Sequence, residues 1–494
     1  MAAAPRRVSL SVIPESDDML GTIPMKVSRR AALKSLAVLA SAPWCGQARA
    51  ATVTLTAGVA RQQLVPAQYP QTEVWCYNGA VPAPELRFRQ GDTARIVVAN
   101  HLPQPTTVHW HGLRLPNKMD GVPHVTQAPI APGAEFVYEF PLPDAGTYWY
   151  HPHLASYEQV ARGLYGVLIV EERKPIQVDR DVTWVLSDFR LNADASQHED
   201  FRSVFDLTHA GRIGNTVTVN GRFTLNDGAF AVRSGERFRL RLANTAVARS
   251  FLLRFNAHEP RIIALDGQPV APHAPERGLL RLAPGMRADL VLDCPHSPGS
   301  RHLVMDEDNP RSESRLMAID YDAGPPLRES ALTTTIALAP NPLPEPDPAR
   351  ALRHEMVFEG GAMGTLREAQ LDGERVPFAT LVRNHHLAWT INGVAVKEHA
   401  HEPVLELKRD GHYVLSMKND TAWPHPIHLH GHAFRVIARD GVATRHREWR
   451  DTVLLAPRER VDIAFVADNP GDWMIHCHVL AHQAGGMMAM IRVA

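Results

Sequence analysis

The sequence predicts an all-β protein built from one sandwich unit written three times. Two observations predict it. Within 494 residues, 39 prolines and 32 glycines punctuate short alternating segments with little helical periodicity. A set of turn and strand landmarks also recurs, in the same order, at three places along the chain. Each unit has an Asn-Gly pair, a glycine turn and an alternating strand that ends in Asn. The sets are Asn78-Gly79, Gly91 and Asn100; Asn220-Gly221, Gly235 and Asn244; and Asn392-Gly393, Gly411 and Asn419. A later Ala-Pro turn recurs at Ala131-Pro132, Ala283-Pro284 and Ala456-Pro457, each followed by an apolar strand and a glycine: Gly146, Gly299 and Gly471.

Residues 1–50 read as an export leader rather than fold. The run SRRAALK at 28–34 resembles a twin-arginine motif, residues 35–44 form a short apolar stretch, and Ala48-Arg49-Ala50 is a small-residue cleavage site. The competing reading is a buried N-terminal helix, and Met25 would make a more usual start. The apolar stretch is far short of the ~20 residues that span a bilayer, so no membrane span is expected. Passage through the twin-arginine export machinery to the periplasm or beyond is. The leader holds seven basic and three acidic side chains, and the rest of the chain carries a net charge of −5. That balance argues against nucleic acid or an anionic membrane surface as partner.

The first unit is expected over 51–178 and the second over 179–322, with a weakly marked boundary near 178–181. In the second, Phe238, Leu240 and Leu242 interleave with Arg237, Arg239 and Arg241, as in a half-buried strand. Residues 323–350, with Pro325, Pro326, Pro340, Pro342, Pro344, Pro346 and Pro348, read as a stiff external linker. The third unit follows over 351–494. Cys45 lies in the leader, and Cys76 and Cys294 sit in apolar strand-like contexts, as buried free thiols or as a disulfide.

Four short cassettes carry the chemistry: HWHG at 109–112, HPH at 151–153, HPIHLHGH at 425–432 and HCHVLAHQAGGM at 476–487. Alternate residues of a strand face one side, so each H-x-H offers two imidazoles together. A lone H-x-H is more often surface histidine. In the last cassette His476 and His478 face one way and Cys477 the other, so one strand can touch two metal sites. Cys477, His425, His482 and Met487 supply the thiolate, two imidazoles and weak thioether of a blue-copper electron-transfer site. His109, His111, His151, His153, His428, His430, His476 and His478 suffice for a cluster of several coppers.

The ligands fall in register with the repeat. Asn100 to His109 and Asn419 to His428 are both nine residues; Gly146 to His151 and Gly471 to His476 are both five. In the middle unit the same offsets land on Leu253 and Phe255, and on Val304 and Asp306. The cluster is therefore expected between units one and three, with the middle unit a copper-free spacer.

On these four cassettes the chain resembles the multicopper oxidases, the family of laccases and bacterial copper-tolerance oxidases, over essentially all of the expected mature chain. The resemblance implies three cupredoxin-like Greek-key β-barrels and four copper ions, one mononuclear and three clustered. It pairs His109 with His428 on one cluster copper; His111, His151 and His478 on a second; and His153, His430 and His476 on the third. It also matches Asp120, in MDGVP, to an acid that delivers protons to the cluster; the alternative is a turn Asp before Gly121. Many bacterial members have a glutamate after the last histidine ligand, where this chain has Gln483, and an amide cannot relay a proton as a carboxyl does. Pro152 stands where H-S-H is commoner. His432, His385, His386, His399 and His401 have no place in the pattern and are expected to be ordinary or rim residues.

The function implied is a laccase-like oxidase. It oxidises phenols, aromatic amines or low-valent metal ions one electron at a time and reduces dioxygen to water, with Cys477 as port and His476 and His478 as its covalent wire to the cluster. A monomer is expected. A cuprous oxidase of copper tolerance is the alternative, but the segment 398–423 has only Met417 where such enzymes carry a methionine-rich insert, which should leave the entry site open. A ligand-free scaffold or cell-division protein on this fold, or a copper nitrite reductase, fits less well, because no ligand is missing and the H-C-H pair is present.

Overall fold

The computed structural model describes residues 51–224, 228–308, 314–330, 332–397 and 402–494. The expected leader, with Cys45, and His399 and His401 lie outside them. The chain is all-β, as predicted, and its strands form three pairs of sheets taken in order along the sequence, with one further two-stranded sheet, Glu368–Leu371 with Glu374–Pro377, in the third unit. Each pair repeats the same two parallel pairings. In the first, Ala51–Gln62 runs parallel to Thr93–Asn100 and Leu86–Arg89 to Gly166–Glu171. In the second the counterparts are Arg180–Phe189 with Arg237–Asn244 and Ala229–Val232 with Ser314–Tyr321. In the third they are Leu352–Gly360 with His412–Asn419 and Pro403–Leu407 with Met488–Val493. Parallel neighbours need crossovers, so the common pattern is a Greek-key sandwich rather than a meander.

The recurring landmarks bind one another. Asn100, Asn244 and Asn419 are buried, and the side-chain oxygen of each accepts the backbone N–H two residues on. Their amide nitrogens donate to Ile130, Leu282 and Leu455, the residues just before the three Ala-Pro turns. The strand end is thus tied to the turn that leads into the next strand, in every unit. Asn78, Asn220 and Asn392 all take positive φ, 52°, 51° and 53°, and each is followed by a glycine near 72°. That is the paired left-handed geometry for which Asn-Gly turns are selected.

One expectation changes. Arg237, Arg239 and Arg241 are buried, not on a solvent face. Arg239 pairs with Glu172 and Asp289, and Arg241 pairs with Asp181 and Asp289 while reaching Thr147 Oγ1 of the first unit. Alternation marked a face correctly; ion pairing let that face pack against a neighbouring sandwich instead of water. The proline-rich segment 323–350 is largely exposed, with only Pro346 buried among its described residues, yet it is tied to all three units. Asn341 bonds Ala145 of the first unit and Gln268 of the second, and Glu345 pairs with Arg435 of the third. Cys76 and Cys294 are free and buried. Among the described residues no helix is long and apolar enough to cross a membrane.

Candidate metal centres

Strand register brings the cassettes together. His109–His111 pairs antiparallel with Gly146–His151, setting His109 opposite His151 and His111 opposite Trp149. In the third unit His425–Leu429 pairs with Gly471–Cys477, setting Ile427 opposite Cys477 and His428 opposite His476. The middle unit sets Leu253 opposite Asp306 and Phe255 opposite Val304. There Asp306 accepts the Leu252 N–H, and Leu253, Phe255 and Val304 are core.

Cys477, His425 and His482 form the first centre, and all are fully buried. Cys477 Sγ lies 3.4 Å from His425 Nδ1 and 3.7 Å from His482 Nδ1, and the two Nδ1 atoms are 3.1 Å apart. The distal nitrogens are engaged elsewhere: His425 Nε2 with Thr421 Oγ1 at 2.9 Å and His482 Nε2 with the His209 carbonyl at 2.7 Å. With Nε2 protonated, both Nδ1 lone pairs point at the sulfur. Burial holds His425 well below the ordinary imidazole range and brings His482 down to about 3, against the His209 carbonyl. Burial also raises the Cys477 thiol, against the Val479 N–H. A buried site that keeps two neutral imidazoles beside a thiol suits a thiophilic cation, which alone would stabilise the thiolate. Met487 is buried in the same core, and its carbonyl accepts the Cys477 N–H.

The entry side is roofed rather than open. The short helix Val204–Thr208, capped by Ser203, ends at His209, whose carbonyl covers His482 Nε2. Trp389 packs 4.2 Å from the His482 ring. Phe205, 67% exposed, stacks on His209 at 4.1 Å.

Eight of the nine other cassette histidines, all but His432, form a second, continuous centre. Donor atoms of His109, His428 and His430 lie within 4.8 Å of one another, as do those of His109, His111 and His151, and of His153, His430 and His476. His430 Nε2 is 3.0 Å from His476 Nε2, and His153 Nε2 is 3.5 Å from it. Three lone-pair nitrogens aimed at one point repel unless a cation sits among them. His478 joins through its ring, 4.9 Å from His111 and 5.2 Å from His151. The geometric grouping by His109 cuts across the sets the family pattern implies; the His153, His430 and His476 set coincides with it. Nδ1 of His109, His151, His428 and His476 each donates to a backbone carbonyl, of Asp120, Pro152, Asp451 and Cys477. Nε2 of His109, His151 and His428, Nδ1 of His111 and both nitrogens of His478 are buried without a hydrogen-bond partner. So many orphaned imidazole nitrogens in one cavity fit a cluster of bound copper ions. Burial, then neighbouring imidazoles, hold His111, His430, His476 and His478 well below the ordinary range.

Asp120 is buried at the centre's edge. Its Oδ2 accepts from His430 Nδ1 at 2.8 Å, and its Oδ1 lies 3.2 Å from His109 Nδ1. Gly121, at φ 78°, backs onto the Val108 carbonyl, where a Cβ would come to 1.8 Å. Gln483 takes a bond from Ser156 Oγ at 3.2 Å, and its amide faces His153 Nε2 at 3.4 Å. It stands at the inner end of a cavity of about 420 Å3 whose wall includes His153, Ser156, His385, His386 and Lys397. His432 bonds the His430 carbonyl and packs on Trp473 in the core.

Several residues at the centres carry no cassette signal. Asp451 Oδ1 lies 3.2 Å from His111 Nε2, and Thr452 Oγ1 lies 3.1 Å from the same atom. Burial would raise the Asp451 carboxyl, but the Arg287 guanidinium outweighs it and holds that carboxyl below its ordinary range. Thr421, Trp389 and His209 were equally silent. An Asp-Thr pair directly before the apolar residues 453–455 was the one available hint.

These sandwiches and paired centres are those of a copper-dependent oxidase. Models of the multicopper oxidase family match residues 58–175, 180–316 and 375–494, and the chain belongs to that family. It is 29% identical to the multicopper oxidase MmcO of Mycobacterium tuberculosis, over 89% of this chain and 86% of that one. Among solved structures it is similar to the multi-copper oxidase of Pseudomonas thermotolerans, at 34% identity and a TM-score of 0.78, covering 90% of this chain and 100% of that one. The multi-copper oxidase of Pseudomonas parafulva is 35% identical with a TM-score of 0.75, covering 89% and 99%. The protein is thus a laccase-like oxidoreductase using four copper ions, with dioxygen and a one-electron reductant as its substrates.

Proposed function

We propose that the ligands divide as the family pattern implies. Cys477, His425, His482 and Met487 hold the mononuclear copper; His109 and His428 hold one cluster copper; His111, His151 and His478 hold another; and His153, His430 and His476 hold the third. Bound copper supplies one-electron oxidation of the reductant at the thiolate centre and four-electron reduction of dioxygen to water at the cluster. The observation that carries this division is the adjacency of the two centres. Cys477 Sγ faces His425 and His482, while His476, one peptide away, presents Nε2 to His430. In this reading the peptide links on either side of Cys477 carry electrons inward, and Asp120 hands protons to the cluster side.

The reductant side rests on the roof. His482 donates to the His209 carbonyl, and Phe205 stacks on the His209 ring. An exposed aromatic stack in hydrogen-bonded contact with a copper ligand favours phenols and aromatic amines as reductants. A cuprous substrate is the second reading. Met417 is buried in the core, but Met363 is 70% exposed and follows Ala362, whose N–H bonds the Thr208 carbonyl beside His209. Three domains at 51–178, 179–322 and 351–494 joined by 323–350, export by a twin-arginine leader to the periplasm, and a monomeric state complete the proposal. Steady-state oxidation of phenols and of cuprous, ferrous and manganous ions by copper-loaded protein tests it. Turnover of cuprous ion alone would displace the aromatic reading.

A further inference from the structure

The middle unit holds none of the cassettes, yet it reaches the cluster. Its Ala283-Pro284 turn is tied down by the Asn244 side chain through Leu282 and by the Gly285 N–H to the Asn244 carbonyl. Beyond the turn, Gly285 lies so near the cluster that a Cβ there would come to 2.9 Å from His478 and 3.1 Å from His111. Two residues on, Arg287 is fully buried and makes a bidentate pair with Asp451 of the third unit, Nη1 to Oδ1 at 2.8 Å and Nη2 to Oδ2 at 2.5 Å. Two further donors are used: Nε reaches the Thr147 carbonyl of the first unit at 3.2 Å, and Nη1 the Gly285 carbonyl at 3.0 Å. Asp266 accepts the Arg287 backbone N–H at 2.8 Å. Arg287 therefore touches all three units at one point.

Asp451 in turn holds two imidazoles. Its Oδ1 is 3.2 Å from His111 Nε2, and its carbonyl accepts His428 Nδ1 at 2.9 Å. One residue serves a first-unit ring and a third-unit ring, which stack at 3.7 Å. Gly112 confirms how tightly the pair is fitted: at φ 86°, a Cβ would fall 2.3 Å from Arg287 Nη2 and 2.4 Å from Asp451 Oδ2. The glycine that closes the HWHG cassette is thus the space the ion pair occupies.

Resting on the reading of His111 and His428 as cluster ligands, we infer that Arg287 is a positioning residue for the copper cluster: it fixes Asp451, and Asp451 fixes both rings. The middle unit is then the clamp that sets the first-unit and third-unit halves of the cluster against each other, and more than the spacer its lost ligands suggest. A planar guanidinium is suited to this because two parallel bonds fix the carboxylate's orientation, which a single ammonium does not.

The test uses the full-length copper-loaded protein, with copper per chain and the paramagnetic resonance of the non-blue copper as readouts. Wild type with about four coppers and a blue band secures the ligand reading independently; without them, that reading fails before the inference is reached. Arg287→Met is expected to keep the blue band while losing cluster copper to a chelator about tenfold faster. Arg287→Lys, which keeps the charge, should fold, hold more copper and show altered non-blue hyperfine splitting. The double variant Arg287→Met with Asp451→Asn removes the buried unpaired carboxylate and should recover thermal stability but not the wild-type resonance. Wild-type copper retention and splitting in Arg287→Met or, should that variant not fold, wild-type splitting in Arg287→Lys would overturn the inference.

Discussion

Asp120, from the first unit, accepts a 2.8 Å hydrogen bond from Nδ1 of His430, from the third. The same carboxylate lies 3.2 Å from His109 Nδ1, so it spans the seam between a first-unit and a third-unit ring. A carboxyl held against two rings at a seam is placed to exchange protons there and to fix the rings' tautomer.

Asp120→Asn should slow reoxidation of the reduced cluster by dioxygen, by about 100-fold or more on the scale usual for a lost general acid, while reduction of the blue copper by substrate changes little. Stopped-flow absorbance separates the two half-reactions. Equal reoxidation rates would leave Asp120 a turn residue.

Gln483 sits between Ser156 and His153 at the inner end of the 420 Å3 cavity. Gln483→Glu places an ionisable group at that position. Reoxidation should quicken, or its pH range broaden, with the blue band as in wild type. A rate unchanged at every pH would exclude this cavity as a proton route.

Cys477→Ser removes the thiolate sulfur that faces His425 and His482. The intense thiolate-to-copper band should vanish while most cluster copper remains, because no cluster histidine depends on that side chain. Visible absorption and elemental analysis on one sample decide it. A colourless wild type, fully loaded with copper, would refute the port assignment.

Leu253 is fully buried where ligands stand in the other units. Leu253→Ala should cost ~2–5 kcal/mol of stability, the range for a truncated core leucine. Copper stoichiometry should stay that of wild type in the folded protein. Denaturant titration followed by metal analysis checks both.

His258 is buried beside Tyr321, whose hydroxyl lies 2.9 Å from its Nε2, and burial lowers its pKa to about 4 against the opposing Asn256 carbonyl. In the unfolded chain the ring titrates near 6.5, so between about pH 6.5 and 4 the unfolded state binds the extra proton and stability falls as pH falls. From pH 7 to 5 the contribution is about 2 kcal/mol. His258→Phe should flatten that part of the profile in denaturant titrations; an unchanged slope would assign it to other groups.

The repeat was legible in the linear order because its parts are local or nearly so. An Asn-Gly pair encodes a left-handed turn by itself, and an Asn nine residues before a ligand marks the strand end wherever the chain goes. The cassettes were legible for the same reason: strand geometry puts both imidazoles of an H-x-H on one face, and opposed faces let Cys477 and His476 serve different centres. Tertiary structure alone decided what surrounds them. Arg287 and Asp451 are 164 residues apart, and a buried ion pair leaves no local period to read. The arginines of Arg237–Asn244 alternate just as solvent-facing residues would, because alternation records which face a side chain takes but not whether water or another sandwich meets it. His209 closes over His482 only because a helix of the middle unit docks there, across 273 residues of chain.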